Sequence, residues 1–391
     1  MDKKRLSIVR RSKTPNNPAE PLSTPISLSA MYHYENIEQY QEVSNKEVPG
    51  YTYARYGNPN ATILSQKLSW LEDAKGGVVT AAGMSALSCV FLALLKEGDT
   101  IAASSQLYGQ SLKMLTKMLP RMGFKTKFFD SSDHTTFSEA ITSKTKIIFV
   151  EIISNPVLRL TYFKKLVEVA KKSSAVILVD NTFSTPLGFK PLNHGATLVM
   201  HSVTKILSGH SDLNLGYVGT NDSKILEDIE ELVANFGLNS NPFNCWLAER
   251  GLHTFELRFK QAQENAIKLV TILKNHPKII KINYPGLSSH HEHELAKEML
   301  SGNFGTMISF VLKGDYSNID NFVKAAKDIP FGSTLGDIAT TMIVPSLSSH
   351  RHLTKDERLK LGIEDTLVRV SVGIESFDLI RDDFLDALEE A

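Results

Sequence analysis

Short apolar runs alternate with amphipathic segments between about residues 70 and 220. Several runs, such as VILV before Asp180, are apolar throughout, which is typical of strands covered on both faces. The alternation predicts an α/β fold with a mainly parallel seven-stranded sheet and helices on both of its faces. The predicted strands are Val78–Ala82, Thr100–Ser104, Lys125–Phe129, Ile147–Val150, Ala175–Asp180, Leu198–His201 and Tyr217–Thr220, and a helix is predicted over 162–172.

The two ends of the chain have different patterns. Residues 1–50 are polar and proline-containing, which predicts an irregular arm that packs on a neighbouring subunit. One long helix is predicted over Asn244–Asn275, followed by strands in GTMISFVL and LVRVSVGIE. The pattern predicts a large domain over 51–250 and a smaller C-terminal α+β domain over 251–391.

Residues 76–95 carry no charge and are long enough to span a bilayer. Glycines at positions 76, 77 and 83 favour another interpretation, which is a buried strand, a glycine turn and a buried helix. Lys+Arg and Asp+Glu both number 43, so the chain lacks the basic surface that a general nucleic-acid-binding protein needs. Two cysteines among 391 residues make a disulfide framework implausible and predict a reducing, cytoplasmic location.

Lys205 and Asp180 are the main candidates for chemistry, because each follows an apolar strand at the edge where such sheets bind ligands. A buried lysine can form a covalent bond to a carbonyl carbon, and an aspartate can pair with a cationic ring nitrogen. The alternatives are a surface lysine and a helix-capping aspartate. Glu151 ends another apolar strand at the same edge.

Four further segments contain residues suited to binding anions or flat rings. Gly83 precedes a predicted helix whose free N–H groups suit an anion, and Tyr108 follows a strand where an aromatic ring can stack on a cofactor. Arg55 suits a phosphate or carboxylate. Arg369 lies within an apolar strand and needs an anionic partner, which is either Asp365, Glu375 or a substrate carboxylate.

The histidines give no convincing metal site. His290, His291 and His293 lack the usual ligand spacing and are predicted to lie at a solvated helix start. His350 and His352 flank Arg351 in a segment that is predicted to lie near the site, with no role assigned.

The ordered set of motifs resembles the Cys/Met-metabolism, or transsulfuration, family of pyridoxal-phosphate (PLP)-dependent enzymes over about residues 50–380. This family includes cystathionine γ-synthase, cystathionine γ- and β-lyases, methionine γ-lyase and O-acetylhomoserine sulfhydrylase. The resemblance implies the PLP-dependent transferase fold type I, with residues 51–250 as the PLP-binding domain. The motifs are YTYARYGNPN, AAGMSA, LYGQS, EIISNP, VDNTFSTP, HSVTKILSGHSD, RGLHTFELR, YPGL and LVRVSVGIE.

The resemblance also implies roles for individual residues. Lys205 would bond covalently to the cofactor and move protons, Asp180 would keep the pyridine nitrogen protonated, and Tyr108 would stack on the ring. The phosphate would be held by Gly83, Met84, Ser202 and Thr204, and by Tyr53 and Arg55 of a neighbouring subunit in a homotetramer built as a dimer of dimers. Asn155 would contact cofactor and substrate, and the substrate would also be bound by Arg369 and Thr334.

Some positions depart from the family pattern. Gln110 replaces a small residue or the cysteine of methionine γ-lyases, and Ser333 replaces an acid that can hold the distal amino group of cystathionine. Both are predicted to contact substrate. The resemblance implies C–S lyase activity, by γ- or β-elimination on a sulfur amino acid such as cystathionine, methionine or cysteine. The alternative is γ-replacement on an O-acylhomoserine.

Overall fold

The computed structural model of the chain describes residues 17–351 and 353–391. The larger sheet contains β1 (Gly76–Thr80), β2 (Thr100–Ser104), β3 (Lys125–Phe129), β4 (Thr145–Glu151), β5 (Val176–Asp180), β6 (Leu198–Ser202) and β7 (Gly216–Thr220). Their order is β1-β7-β6-β5-β4-β2-β3, and β7 alone among them runs antiparallel to its neighbours. The predicted mainly parallel seven-stranded sheet is therefore confirmed.

Helices connect and cover these strands. The helices that precede, connect and directly follow the strands of the larger sheet are α1 (Ile37–Ser44), α2 (Pro59–Glu72), α3 (Gly83–Leu94), α4 (Gly109–Lys113), α5 (Phe137–Ala140), α6 (Phe163–Ala170), α7 (Thr185–Gly188), α8 (Ser223–Phe236) and α9 (Pro242–Leu252). Beyond it lie α10 (Phe255–Leu273), α11 (His293–Leu300), α12 (Tyr316–Ala325), α13 (Lys355–Lys360) and α14 (Phe377–Glu390). A π-turn spans Met114–Met118, and 3₁₀ turns span Leu119–Met122, His134–Thr136, Pro191–His194 and Pro345–Leu347.

The larger sheet is buried on both faces because successive residues of each strand point to opposite sides. On β4, Ile148 and Val150 pack with α2 and α6, whereas Ile147 and Phe149 pack with α3 and α8. This explains why the strands are apolar throughout. It also explains the uncharged stretch 76–95, which folds as β1, a turn and α3. Among the residues that the model describes, no helix is both long and apolar enough to cross a bilayer.

A second, antiparallel sheet lies C-terminal to the first. Its strands are β8 (Ile279–Asn283), β9 (Met307–Leu312), β10 (Thr341–Ile343) and β11 (Leu367–Ser371), in the order β10-β11-β9-β8. Phe310 of β9 contacts Phe322 and Phe384, so the sheet packs against α12 and α14. The smaller α+β region that the sequence predicted is therefore confirmed, while the boundary at residue 250 stays a prediction.

Two local predictions were wrong. The arm is not irregular throughout, because α1 forms within it and is capped by the Asn36 side chain. The predicted single helix over Asn244–Asn275 is two helices, α9 and α10, which are separated at His253 and Thr254. The chain turns there because Gly251 packs directly on the Ser208 backbone, where a Cβ would lie 2.4 Å from a carbonyl oxygen.

Arg258 of α10 connects the end of α9 to the segment that follows Lys205 and holds both in place. Its guanidinium donates hydrogen bonds to the carbonyl oxygens of Ile206, Leu207 and Gly251 at 2.8–3.0 Å. Arg258 is buried, and burial lowers its pKa to about 10.

Arg258→Ala is expected to lower the free energy of unfolding by about 3 kcal/mol, because it leaves buried carbonyl groups without donors. Urea unfolding of the variant and of Arg250→Ala measures this effect. Arg250 lies on the exposed face of α9, so its removal is expected to change the free energy by under about 0.5 kcal/mol. Equal losses in both variants would show that Arg258 does not hold the segment.

Candidate active site

A cavity of about 670 Å³ lies where the carboxyl ends of β4, β5 and β6 meet the second sheet. This is the edge at which open α/β sheets bind ligands. All of the predicted site residues except Tyr53 and Arg55 line it. They are Gly83, Met84, Tyr108, Gln110, Asn155, Asp180, Ser202, Thr204, Lys205, Ser333, Thr334 and Arg369.

Lys205 reaches this cavity from the turn after β6, where its backbone N–H donates to the carbonyl of Ser202 at 3.1 Å. Burial, and then the positive charge of Arg369, lower the pKa of the Lys205 amine. A lower pKa increases the fraction of neutral amine near neutral pH, and a neutral amine is the form that acts as nucleophile or base. The surface-lysine alternative is therefore excluded.

Asp180 ends β5 on the same side of the cavity. One carboxylate oxygen accepts the Thr182 N–H at 3.0 Å, and the side chain lines the cavity. Burial raises the pKa of Asp180, while the Thr182 hydrogen bonds and the nearby His201 lower it. His201 is itself buried and contacts the Glu72 carboxylate. The aspartate is thus not only a local cap.

The start of α3 provides backbone N–H groups for an anion. Its N-cap residue, Ala82, offers no side-chain hydrogen bond, so the first N–H groups of the helix stay free. Gly83 lies against Ser202, where a Cβ would come within 2.8 Å of the serine Cβ. The Thr204 hydroxyl already exchanges hydrogen bonds with the Leu215 backbone at 3.0–3.2 Å. The Ser202 hydroxyl is the more available of the two predicted side-chain donors.

Arg369 is buried in β11 of the second sheet. Its guanidinium donates to Asn155 Oδ1 at 2.9 Å and to the Thr334 carbonyl at 2.8 Å. Nε has no hydrogen-bond partner among the described residues, and burial lowers the pKa of the group to about 10. The expectation that an acid satisfies it is wrong for both candidates, because Asp365 pairs with Arg358 and Lys355, and Glu375 accepts from Thr340.

Arg369→Lys is expected to reduce kcat/KM about 100-fold, mainly through a higher KM, because a lysine lacks the planar fork that binds a carboxylate with two hydrogen bonds. Steady-state kinetics of the holoenzyme measure this. Arg358→Lys is the matched control, since Arg358 pairs with Asp365 outside the cavity. A change in kcat/KM below about threefold in the Arg369 variant would show that Arg369 does not bind the substrate carboxylate.

Several cavity residues were not assigned in the sequence analysis. Glu151 was noted only for its position at a strand end, and Thr182, Asn214, Phe331 and Arg351 gave no signal. Glu151 Oε1 accepts the Tyr108 N–H at 2.6 Å. Glu151 ends β4 as Asp180 ends β5, and this shared position is the signal that could have identified it.

Tyr53 and Arg55 lie on the surface of this chain, away from the cavity. Arg55 donates to the Ala234 carbonyl at 2.6 Å, and its guanidinium lies over the rings of Tyr53 and Tyr56. Their predicted contact with a neighbouring subunit's cofactor stays a prediction.

The histidine segments differ from expectation in one respect. The cluster before α11 is not simply solvated, because His290 is buried and its Nε2 lies 3.0 Å from the Leu158 carbonyl. Within the part of the chain that the model describes, no group of three or more His, Cys, Asp or Glu side chains is arranged to hold a metal. His350 is buried beside Ser349, outside the cavity lining, and His352 lies outside the described residues.

The residues of the cavity fit pyridoxal phosphate. The cofactor has an aldehyde, a basic ring nitrogen and a phosphate, and the cavity offers an amine, a carboxylate and a free helix N-terminus for them. The buried Arg369 Nε and Glu151 Oε2 atoms, which have no partner among the described residues, also indicate a site built for a polar ligand.

Comparisons with known proteins agree with this geometry. The family described as "Cys/Met metabolism PLP-dependent enzyme" matches residues 7–389. The chain is 36% identical to cystathionine gamma-lyase of Bacillus subtilis (strain 168), over 90% of this chain and 92% of that protein.

Solved structures are similar over nearly the whole chain. Cystathionine gamma synthase from Xanthomonas oryzae pv. oryzae, in complex with cystathionine, has a TM-score of 0.89 and 33% identity, covering 94% of this chain and 93% of that one. A putative O-acetylhomoserine (thiol)-lyase from Campylobacter jejuni, which contains a pyridoxyl-lysine phosphate, has a TM-score of 0.90 and 27% identity over 100% of both chains. The chain therefore belongs to the Cys/Met-metabolism family of PLP-dependent enzymes, of which lyases and synthases of sulfur amino acid metabolism are members.

Proposed function

We propose that the enzyme is a C–S lyase that carries out γ- or β-elimination on a sulfur amino acid. The observation that carries the proposal is one cavity lined by Lys205, Asp180, Tyr108 and Arg369. When bound, PLP supplies the electron sink for the bond-breaking steps. The products of a thioether substrate and water are a thiol, a 2-oxo acid and ammonia.

The residues of the chain divide this work among them. Arg369 and Asn155 orient the amino acid through its α-carboxylate. Lys205 would hold the cofactor, and its amine would take the proton from Cα of the amino acid. Asp180 would keep a proton on the ring nitrogen, since a negative carboxylate favours the cationic ring. Tyr108 would stack on the cofactor ring.

A second candidate is γ-replacement on an O-acylhomoserine, and three features of the cavity favour it. Ser333 provides no charge for the distal amino group of cystathionine. Arg351 lines the cavity with its guanidinium unpaired by any described residue, which suits an anionic leaving group or incoming nucleophile. The volume of about 670 Å³ leaves room for a second small reactant.

We also infer a homotetramer whose sites are shared between subunits, with Tyr53 and Arg55 reaching a neighbour's phosphate. Exposed aromatic and aliphatic side chains support an assembly of this kind, including Met31, Tyr53, Tyr56, Trp70 and Phe236. The two free, buried cysteines, Cys89 and Cys245, support a cytoplasmic location.

The test is an assay of purified holoenzyme against methionine, cystathionine, cysteine, O-acetylhomoserine and O-succinylhomoserine, with and without an added thiol. Release of 2-oxo acid, ammonia and thiol in equal amounts from a sulfur amino acid is the expected result. Product formation only from an O-acylhomoserine together with a thiol would contradict the lyase proposal and support γ-replacement instead. A 2-oxo acid formed without ammonia or thiol would instead indicate transamination.

A further inference from the structure

Glu151 is a buried acid in the cavity lining that the proposed mechanism leaves without a role. It is 6% exposed, lies at the end of β4 and lines the cavity. Oε1 accepts the Tyr108 N–H at 2.6 Å, and the backbone carbonyl of Glu151 accepts from the Thr161 hydroxyl at 2.6 Å. Oε2 has no partner among the described residues. The side chain is therefore fixed in place with one oxygen left over.

The neighbouring strand places a second acid beside Glu151. Glu151 and Asp180 are paired in register on β4 and β5, and neighbouring strands lie about 4.8 Å apart. Two acids on register partners of neighbouring strands disfavour each other's ionised form. Asp180 has the Thr182 N–H and the nearby His201, whereas no cationic side chain of the described chain pairs with Glu151.

Burial and the neighbouring acid favour the neutral form of Glu151 over its ionised form. Burial, and then the negative charge of Asp180, raise the pKa of Glu151 well above its usual range, although the backbone N–H groups of Tyr108 and Asn155 oppose this. Lys205 and Arg369 line the same cavity, but the Arg369 guanidinium is directed to Asn155 and Thr334.

We propose that Glu151 is an uncharged positioning residue, which anchors Tyr108 through Oε1 and donates a hydrogen bond from protonated Oε2 to the ligand bound in the cavity. A protonated glutamic acid presents an acceptor oxygen and an O–H donor, and a glutamine likewise presents an acceptor oxygen and a donor group, its NH₂. The inference rests on the proposed function in one respect, which is that the Tyr108 side chain stacks on the cofactor ring.

The first test compares Glu151→Gln with Glu151→Leu in the holoenzyme. Glu151→Gln is expected to keep kcat/KM and the cofactor dissociation constant within about threefold, because both hydrogen bonds survive. Glu151→Leu is expected to raise the dissociation constant about tenfold or more and to reduce the visible circular dichroism of the bound cofactor. A Gln variant as impaired as the Leu variant would show that Glu151 acts as an anion and would overturn the proposal.

Glu249→Leu is the matched control for loss of a buried acid. Glu249 is 3% exposed and pairs with Lys67, outside the cavity. Its removal is expected to lower stability and leave the visible circular dichroism unchanged. If Glu249→Leu changes the cofactor signal as much as Glu151→Leu does, the effect of Glu151 is general destabilisation and the proposal fails.

The second test measures the protonation state by urea unfolding at pH 5 and pH 7.5. The folded-state pKa of Glu151 is raised above its unfolded value, so the stability that it contributes is complete below the unfolded value of about 4.3 and is lost as pH rises through the folded value. Glutamine does not titrate. The compared quantity is the urea midpoint of the wild type minus that of Glu151→Gln. This difference is therefore expected to be lower at pH 7.5 than at pH 5.

A constant or rising difference in midpoint would overturn the uncharged assignment. Apart from kcat/KM, the readouts do not depend on which substrate the enzyme uses, because cofactor binding, the cofactor signal and the urea midpoint are measured without substrate. Failure of the lyase assay and failure of this inference are therefore separate results.

Discussion

Lys205→Ala is expected to abolish the visible absorption that comes from the covalent bond between the enzyme and its cofactor, and to lower kcat about 10,000-fold. The magnitude corresponds to removing the residue that both holds the cofactor and moves the Cα proton, since a general base alone contributes about 100- to 10,000-fold. Absorption spectra of the purified protein with added PLP, and single-turnover kinetics, measure the two effects.

The control for Lys205→Ala is Lys146→Ala. Lys146 is exposed near the start of β4, at the opposite end of the sheet from the cavity, and its removal is expected to leave spectrum and turnover unchanged. A Lys205 variant that kept its absorption and full turnover would refute the role of this lysine and, with it, the proposed mechanism.

Asp180→Asn is expected to lower kcat about 1,000-fold while changing the cofactor dissociation constant less than about tenfold. The side chain keeps its shape and its hydrogen bond to Thr182, but the negative charge that stabilises a proton on the ring nitrogen is lost. The rate therefore falls much more than cofactor binding does, because an unprotonated pyridine accepts electrons poorly.

Asp130→Asn is the corresponding control, since Asp130 also follows a strand of the larger sheet but binds Gln106 and Ser132 outside the cavity. It is expected to leave kcat within about twofold. Equal activity of Asp180→Asn and the wild type would mean that the ring nitrogen is protonated by another group.

The strands of the larger sheet were predictable to within a few residues because burial on both faces requires uninterrupted apolar runs. Lys205 and Asp180 were predictable because they follow those runs at the ligand-binding edge. That they share a cavity with Arg369 was expected only from the resemblance, since Arg369 lies 164 positions after Lys205 in the sequence.

The failures have tertiary causes. The break between α9 and α10 depends on the contact of Gly251 with Ser208 and on the hydrogen bonds of Arg258, which periodicity within one segment does not contain. His290 is buried by the Leu158 segment, more than 100 residues earlier in the chain. Glu151 was left without a role because its significance comes from Asp180 on the adjacent strand.

The hydrogen bond between Arg369 and Asn155 joins the two sheets across the cavity, because Arg369 belongs to β11 and Asn155 follows β4. If a substrate carboxylate binds this guanidinium, as proposed, it shares donors with the bond that connects the two halves of the molecule. Substrate binding and the relative placement of the halves are then expected to be thermodynamically linked.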